Sequence, residues 1–240
     1  MGKGHFLCAS MEILLIAATP FEIQPLVSSL PKAKLLNQGA ENPLTQRYEL
    51  PDGNHVVVFI TGVGPMSTAW HLGWYLAGHR PDWMIQAGIA GAFDRTLQLG
   101  DVVQVVTERF GDLGVEEADG SFTDLFQMGL LEKDAPPFSQ GLLKDPAAGR
   151  FNFLPQVNGL TVQKVHGTAA SIAAIQKKYP EVQVESMEGA AFFYAALQTG
   201  IPFLQIRSIS NYVEPRNREA WNIPLAIEQL NRVLLECLSV

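Results

Sequence analysis

The sequence predicts an α/β protein, a single three-layer α/β/α domain with a mixed central sheet. Apolar runs of strand length alternate along the chain with segments of helical periodicity, which is the pattern of layered α/β folds. The run MEILLIAA at 11–18 is almost continuously apolar, as expected of a strand buried on both faces. No linker, internal repeat or low-complexity segment divides residues 11–240. Residues 1–10 are interpreted as an extension or a cloning artefact outside this domain.

In the first half of the chain, turn residues separate the predicted elements. Thr19-Pro20 ends the first strand, and a helix beginning at Phe21-Glu22 ends before Pro31. The turn sequence PDGN divides the next two strands, and the glycines of TGVGP end the second of them and open a helix. Pro81 precedes a strand that is expected to end at the glycines of GIAG. The predicted strands here are 44–50, 55–61, 82–87 and 101–107, and the helix is 65–78.

The second half begins with an irregular segment, 110–158, which is rich in Gly, Pro, Asp and Phe. We expect loops with short helices there, forming a lid or an oligomer contact. Asn222 is a candidate cap for the last helix, whose apolar residues recur on one face. Beyond the irregular segment, the predicted strands are 159–165 and 202–208, and the predicted helices are 169–178, 186–199 and 223–238.

Composition excludes several classes of protein. The 240 residues are 47% hydrophobic and 17% charged, so the chain can bury a sizeable core. A net charge of −7 argues against a general binder of nucleic acid or of a membrane surface. Two cysteines form no disulfide framework, and the five histidines show no metal-ligand spacing. No apolar run has transmembrane length, and the apolar stretch within the first ten residues is too short for a signal peptide. We therefore expect a cytoplasmic protein without a metal or cofactor.

One helix carries a charge where its sequence is otherwise apolar. The residues after Glu188, GAAFFYAAL, leave almost no polar stripe, so this helix should be buried. A carboxylate at its start is costly unless something uses it, although it can also simply complement the helix dipole. The next strand ends in polar residues at Asn211. Ligands collect at the carboxyl ends of strands in α/β sheets, so the carboxylate and the amide are predicted to share one crevice.

Two glycine pairs follow strands, at Gly62-Val63-Gly64 and at Gly88-Ile89-Ala90-Gly91. A dinucleotide fingerprint is not supported, because its third glycine is replaced by Ser67 and the motif does not follow the first strand. No phosphate-binding GxxxxGK[ST] sequence exists either. Two interpretations stay open for both pairs. The glycines make tight turns, or they let the backbone approach a ligand closely.

Five motifs occur in order along the chain: Glu22 after the first strand, TGVG at 61–64, GIAG at 88–91 with LGDVV at 99–103, MEGA at 187–190, and RSISN at 207–211. Together they resemble the nucleoside phosphorylase and nucleosidase superfamily, which includes methylthioadenosine/S-adenosylhomocysteine nucleosidase. The similarity runs from about residue 11 to residue 238. It also extends to the hydrolase branch that acts on a hypoxanthine nucleoside, through ESMEG, DLGVE, and SNYVEPR followed by Trp221.

The resemblance implies a nucleoside phosphorylase-like fold and a role for each matching residue. Glu22 would position and deprotonate the attacking water, and Glu188 would bind the ribose 2′- and 3′-hydroxyls. Met187 would lie against the ribose, and Arg207 and Ser210 would support the base-binding loop. The other implied binding residues are Val165, Gly167 and Thr168 on the purine side, and Ala18, Ile89, Ala90 and Gly91 on the water and ribose side.

Asn211 departs from the adenine-cleaving members of this superfamily, which carry an aspartic acid there. A carboxylic acid can protonate N7 of a leaving adenine, whereas an amide cannot deliver a proton. The amide has donors and an acceptor, so its NH₂ can donate to O6 of a 6-oxopurine while its oxygen accepts from N7–H as that proton arrives. We therefore predict Asn211 to be catalytic and the leaving base to be hypoxanthine, which is also a better leaving group.

Water is the predicted nucleophile, because the loop Ala17–Glu22 offers an acid and no cation for phosphate. The predicted partner is a small-molecule purine nucleoside. Members of this superfamily often complete the site with a neighbouring subunit, so we expect a homo-oligomer, a dimer or larger. Two alternatives remain: a nucleosidase or phosphorylase of inosine-like or methylthio nucleosides, and a non-catalytic purine-nucleoside binding protein. Retention of both Glu22 and Glu188 speaks against the latter, because binding alone needs no water-activating carboxylate.

Overall fold

Residues 10–30, 44–150 and 153–238 are described by the computed structural model, and they form a mixed sheet with helices on both faces. Most of the predicted extension, residues 1–9, lies outside the described ranges. The strands are β1 (Glu12–Ala17), β2 (Thr45–Glu49), β3 (His55–Ile60), β4 (Trp83–Ala92), β5 (Val102–Glu108), β6 (Gly114–Glu116), β7 (Phe122–Asp124), β8 (Leu143–Lys144), β9 (Gln156–Thr161), β10 (Val184–Ser186) and β11 (Phe203–Tyr212). The helices are α1 (Pro20–Ser29), α2 (Pro65–Leu76), α3 (Ala169–Lys178), α4 (Gly189–Thr199) and α5 (Ile223–Leu238), with a 3₁₀ turn at Arg218–Ala220.

Alternate residues of β1 enter separate cores on the two faces of the sheet, because successive side chains of a strand point to opposite sides. Leu15 packs in a core with residues of α1 and α5, such as Leu26 and Leu230. Leu14 packs in a core with residues of α2 and α4, such as Leu72 and Phe192. The predicted three-layer α/β/α fold with a mixed sheet is therefore confirmed.

Five strands close into a small barrel at one end of the sheet. The pairings run from β10 to β9, β5, β11 and β4, and β4 pairs with β10 again. The first half of β4 also pairs with β1, which continues the sheet outward to β3 and β2. The barrel is filled by apolar side chains from all five strands, including Ala90, Val103, Val157, Val184 and Ile209.

Several predicted elements differ from those observed. No helix occurs in the described parts of 110–158, which form turns and the short strands β6, β7 and β8. Strand β9 begins three residues before the predicted 159–165 and ends at Thr161. The predicted helix 186–199 is divided into β10 and α4, so Glu188 precedes the helix as its N-cap residue. By contrast, α3 and α5 match their predicted ranges, and Asn222 Oδ1 accepts a hydrogen bond from Leu225 N at 3.2 Å.

The two glycine pairs behave differently. Gly62 and Gly64 have φ of +80° and +91°, so this pair makes a true turn between β3 and α2. Gly88 and Gly91 lie inside β4, which continues to Ala92 because it pairs with β11 along this whole stretch. The expectation that the strand ends before Gly88 was therefore wrong.

Candidate active site

Glu22 is held by backbone groups at the start of α1. Its Oε2 accepts hydrogen bonds from Thr19 N at 2.9 Å and Thr19 Oγ1 at 3.2 Å, and its Oε1 accepts one from Ile89 N at 3.3 Å. The side chain is buried, and burial raises the pKa of Glu22 above its usual value. Arg207 lowers this pKa and Glu188 raises it by a smaller amount. A buried carboxylate with raised basicity suits proton removal from water.

Arg207 lies between the acidic groups. Its side chain is only 1% exposed, and Nη2 donates to Gln86 Oε1 at 2.9 Å while lying 3.8 Å from Glu188 Oε2. The expected role of supporting the base-binding loop does not match this position, because the guanidinium faces the acids. Gly88 makes the arrangement possible. A Cβ there would lie 2.1 Å from Arg207 Nη1 and 2.9 Å from Glu22 Oε1.

Glu188 is bound at the beginning of α2. Its Oε1 accepts a hydrogen bond from Gly64 N at 3.0 Å, and the side chain is buried. Gly64 is the N-cap residue of α2, so the carboxylate lies at the positive end of that helix. The backbone of the Gly62–Gly64 turn therefore approaches a carboxylate closely. Met187, expected against the ribose, is partly exposed beside it.

A bulge turns Asn211 toward the same side of the sheet as Gly91. Ile209 pairs with Ala90, but the next paired residue on β11 is Asn211, opposite Gly91. Without this irregularity Asn211 would share the barrel-facing side of Ile209, because side chains alternate along a strand. A Cβ on Gly91 would lie 3.1 Å from Asn211 Nδ2, so the amide lies over this glycine.

The neighbours of Asn211 fix its amide orientation. Ser210 Oγ lies 2.8 Å from Asn211 Oδ1 and 3.2 Å from Ala90 O, and Asn211 Nδ2 donates to Tyr212 O at 3.0 Å. A backbone carbonyl only accepts, so Nδ2 must face Tyr212. One N–H and one oxygen lone pair of the amide remain free for a base.

Of the remaining predicted residues, some lie beside Glu22 and Asn211, and others are exposed or make hydrogen bonds to other parts of the chain. Ala18 is buried next to the Thr19 group that binds Glu22, whereas the side chain of Ala90 points into the barrel core, so Ala90 offers only its backbone. Val165 is exposed, Gly167 O accepts from Arg216 N at 3.0 Å, and Thr168 caps α3 through a hydrogen bond from Ser171 N.

Two buried polar groups were missed by the sequence analysis. Glu108 lies under the start of α4, where it accepts hydrogen bonds from Gln205 Nε2 and Thr161 Oγ1, each at 2.9 Å. Burial raises the pKa of Glu108 to about 7. A Cβ on Gly189 would lie 1.8 Å from its Oε1, which explains the glycine after Glu188. No local pattern distinguishes Glu108 from any other acid at the end of a strand.

Asn231 is the second missed group, and it joins α5 to α1. Its Nδ2 donates to Glu22 O at 2.8 Å and its Oδ1 accepts from Leu26 N at 2.9 Å. The amide thus bridges Leu26 N and Glu22 O, which would otherwise form a hydrogen bond within the helix. Pro25, the residue before Leu26, interrupts the helical hydrogen bonding at this point. It anchors the turn of α1 that carries Glu22.

Among the described residues, no group of three or more His, Cys, Asp or Glu side chains is arranged to hold a metal ion. Within the same ranges, none of the helices combines the length and hydropathy that crossing a bilayer requires.

Comparisons with known proteins agree with this fold. The model of the phosphorylase superfamily matches residues 12–239. The futalosine hydrolase of Streptomyces coelicolor is 32% identical over 76% of this chain and 77% of its own length, and that of Acidothermus cellulolyticus is 31% identical over 92% and 88%. A methylthioadenosine/S-adenosylhomocysteine nucleosidase of Maridesulfovibrio salexigens is 30% identical over 85% and 87%. The nucleosidase structure from Neisseria meningitidis has a TM-score of 0.75 at 21% identity, covering 95% of this chain and 98% of the other.

The fold and these relatives together define an enzyme that hydrolyses N-glycosidic bonds, a nucleosidase. The chain belongs to the phosphorylase superfamily. Relatives named for futalosine and relatives named for methylthioadenosine match it at similar identity.

Proposed function

We propose that this enzyme hydrolyses futalosine to hypoxanthine and dehypoxanthine futalosine, a step of menaquinone biosynthesis. The observation that carries the proposal is the fixed amide of Asn211 over Gly91, at the position where the adenine-cleaving nucleosidases have an acid. Without an acid at N7, cleavage depends on a base that leaves more easily than adenine, and hypoxanthine is such a base.

In the proposed reaction, the C1′–N9 bond breaks as positive charge develops on the ribose, by analogy with glycoside hydrolysis. Glu188 binds the sugar hydroxyls and places negative charge beside them. Glu22 removes a proton from the water molecule while the water oxygen attacks C1′. Asn211 stabilises the charge that collects on the departing base, which takes up a proton from solvent.

A candidate site for the benzoate group of futalosine lies after β11. The guanidinium carbons of Arg216 and Arg218 lie 5.2 and 5.9 Å from the ring centre of Trp221. All three follow the strand that carries Asn211, and the arginines are exposed. Lys164, on the neighbouring loop, is a further candidate cation. The indole offers a stacking face for an aryl ring, and the arginines offer charge for its carboxylate.

Assay of the free base decides between the candidate substrates. Purified enzyme is mixed with futalosine, inosine or methylthioadenosine, with and without phosphate, and the released base is quantified. We expect hypoxanthine from futalosine at a rate that phosphate does not change. Preferential release of adenine would instead support the methylthioadenosine activity named in the Maridesulfovibrio relative. A requirement for phosphate would indicate a phosphorylase, and no release would indicate a binding protein.

We also propose that the enzyme is a homo-oligomer assembled through α2. Met66, Trp70 and Trp74 recur every four residues on this helix and are 77%, 70% and 52% exposed. They lie beside a mainly apolar cleft of about 700 Å³ between α2, α4 and the 110–138 segment. Such a surface is unusual for a monomer. Light scattering should give the molar mass of a dimer or a larger oligomer. Trp70→Glu should lower this mass, whereas Arg232→Glu, on the exposed face of α5, should leave it unchanged. A monomeric wild type would contradict this.

A further inference from the structure

Two polar residues flank Gly91 on neighbouring strands. Glu185 of β10 pairs with Gly91 on one side, and Asn211 of β11 pairs with it on the other. Directly paired residues share a face of a sheet, and adjacent strands are about 4.8 Å apart. The backbones of Glu185 and Asn211 are therefore roughly 10 Å apart, with a glycine between them that carries no side chain. Val213 Cγ2 and Asn211 Nδ2 lie 3.0 and 3.1 Å from the place of a Cβ on Gly91, so a base bound here would lie against these two side chains.

Glu185 holds His166 in a defined orientation. Its Oε1 accepts from His166 N at 3.0 Å, and its Oε2 is hydrogen-bonded to His166 Nδ1. The Glu185 side chain is 3% exposed and that of His166 is 15% exposed. An ionised carboxylate can only accept, so Nδ1 carries a proton, and in the Nδ1–H tautomer Nε2 is an acceptor. Nε2 has no hydrogen-bond partner among the described residues. It is also absent from the fully buried unpaired side-chain atoms, so a ligand atom can reach it.

The loop that carries His166 is tied to the chain that follows Asn211. Arg216 N donates to Gly167 O at 3.0 Å, and Phe93, one residue beyond β4, lies 6.4 Å from the imidazole ring centre. His166 and Asn211 are therefore fixed relative to the same strand, β4, from its two sides. A base over Gly91 would meet Asn211 at one edge and the His166 loop at another.

Asn211 alone does not distinguish the two kinds of purine. A carboxamide has a donor and an acceptor, so it can pair with N6 and N7 of adenine as well as with O6 and N7 of a 6-oxopurine. The bases differ at N1, which carries a proton in a 6-oxopurine and a bare lone pair in adenine. We propose that His166, oriented by Glu185, selects the 6-oxopurine by accepting the N1–H hydrogen bond at Nε2. This inference rests on the proposed function.

The sharpest test replaces the Glu185 oxygen that faces the His166 ring with an NH₂ group. In Glu185→Gln, the remaining oxygen can still accept from His166 N, while the new NH₂ donates to Nδ1. The ring proton then moves to Nε2, which becomes a donor and matches N1 of adenine. We measure kcat/KM for futalosine and for its 6-amino counterpart, together with the affinity for free hypoxanthine and free adenine. The ratio of 6-oxo to 6-amino activity should fall at least tenfold in Glu185→Gln.

Two substitutions of His166 distinguish recognition of the base from a structural role of this residue in its loop. His166→Phe keeps a ring but has no acceptor, so activity on futalosine should fall roughly 10- to 100-fold, as when a buried donor loses its partner, with less than about threefold change for the 6-amino substrate. His166→Gln supplies an amide oxygen and should restore much of the preference. His79→Phe exchanges a ring that lies just after α2 and stacks against Tyr75; it is the matched control and should change neither activity.

Equal losses on both substrates in Glu185→Gln and His166→Phe, or no loss, would overturn the role of His166. The comparison of His166→Phe with His166→Gln decides the question if Glu185→Gln does not fold. A wild-type enzyme that shows no preference for 6-oxo substrates would instead contradict the proposed function itself, so the two failures are distinguishable.

Discussion

Glu22→Gln and Glu188→Gln are each expected to lower turnover by roughly 10²–10⁴-fold without unfolding the protein. Both side chains are buried around Arg207, and glutamine preserves their shape while removing the charge. In the proposed mechanism Glu22 acts only on the attacking water, so its replacement should lower kcat with little change in KM. In the same mechanism Glu188 binds the sugar in both the ground state and the transition state, so its replacement should also raise KM.

The pH profile provides a second measurement for Glu22. Its pKa is raised by burial, and a general base must be ionised to act. Activity should therefore fall as the pH drops through this raised pKa, at a pH above the range of an ordinary glutamate, and Glu22→Gln should lack this acid limb. Glu228→Gln on the exposed side of α5 is the matched control and should retain wild-type kinetics. Near-wild-type rates in both active-site variants, with unchanged circular dichroism, would refute the assigned roles.

The layered fold and most element types were predictable because their signals are local. Strand β1 is an apolar run bounded by Pro20, and α5 has a cap at Asn222 and one apolar face. The strands of the barrel were less well predicted. Strand β4 continues through two glycines because β11 pairs with them, and β10 has only three residues. Pairing between distant segments determines both features, and no short window of sequence contains it.

The residues of the candidate site likewise divide into those with a local sequence signal and those without one. Glu22 and Glu188 stand out in the sequence because each is a charge beside an apolar element, and the structure places both against Arg207. Glu108, Asn231 and the pairing of His166 with Glu185 have no local signature. They become visible only when strands and helices from distant parts of the chain are brought together.

Asn211→Asp is expected to reverse the base preference of the enzyme. The new carboxyl group lacks the NH₂ that donates to O6 of hypoxanthine, so activity on futalosine should fall at least tenfold. In the variant, the oxygen that replaces Nδ2 would also face Tyr212 O, which currently accepts a hydrogen bond. Two acceptors in contact favour protonation of the new carboxyl group. A protonated carboxyl group can deliver a proton to N7 of adenine, so activity on the 6-amino substrate should rise.

The measurement is kcat/KM for futalosine and for its 6-amino counterpart in wild type and variant. Asn54→Asp in the β2–β3 turn introduces the same charge away from the site and should leave the ratio unchanged. Loss of both activities together would indicate that Asn211 serves the loop and not the base. An unchanged ratio would remove the argument that the amide of Asn211, in place of an acid, favours hypoxanthine as the leaving base. Combined with Glu185→Gln, the ratio should fall further, since the two residues contact separate edges of one base.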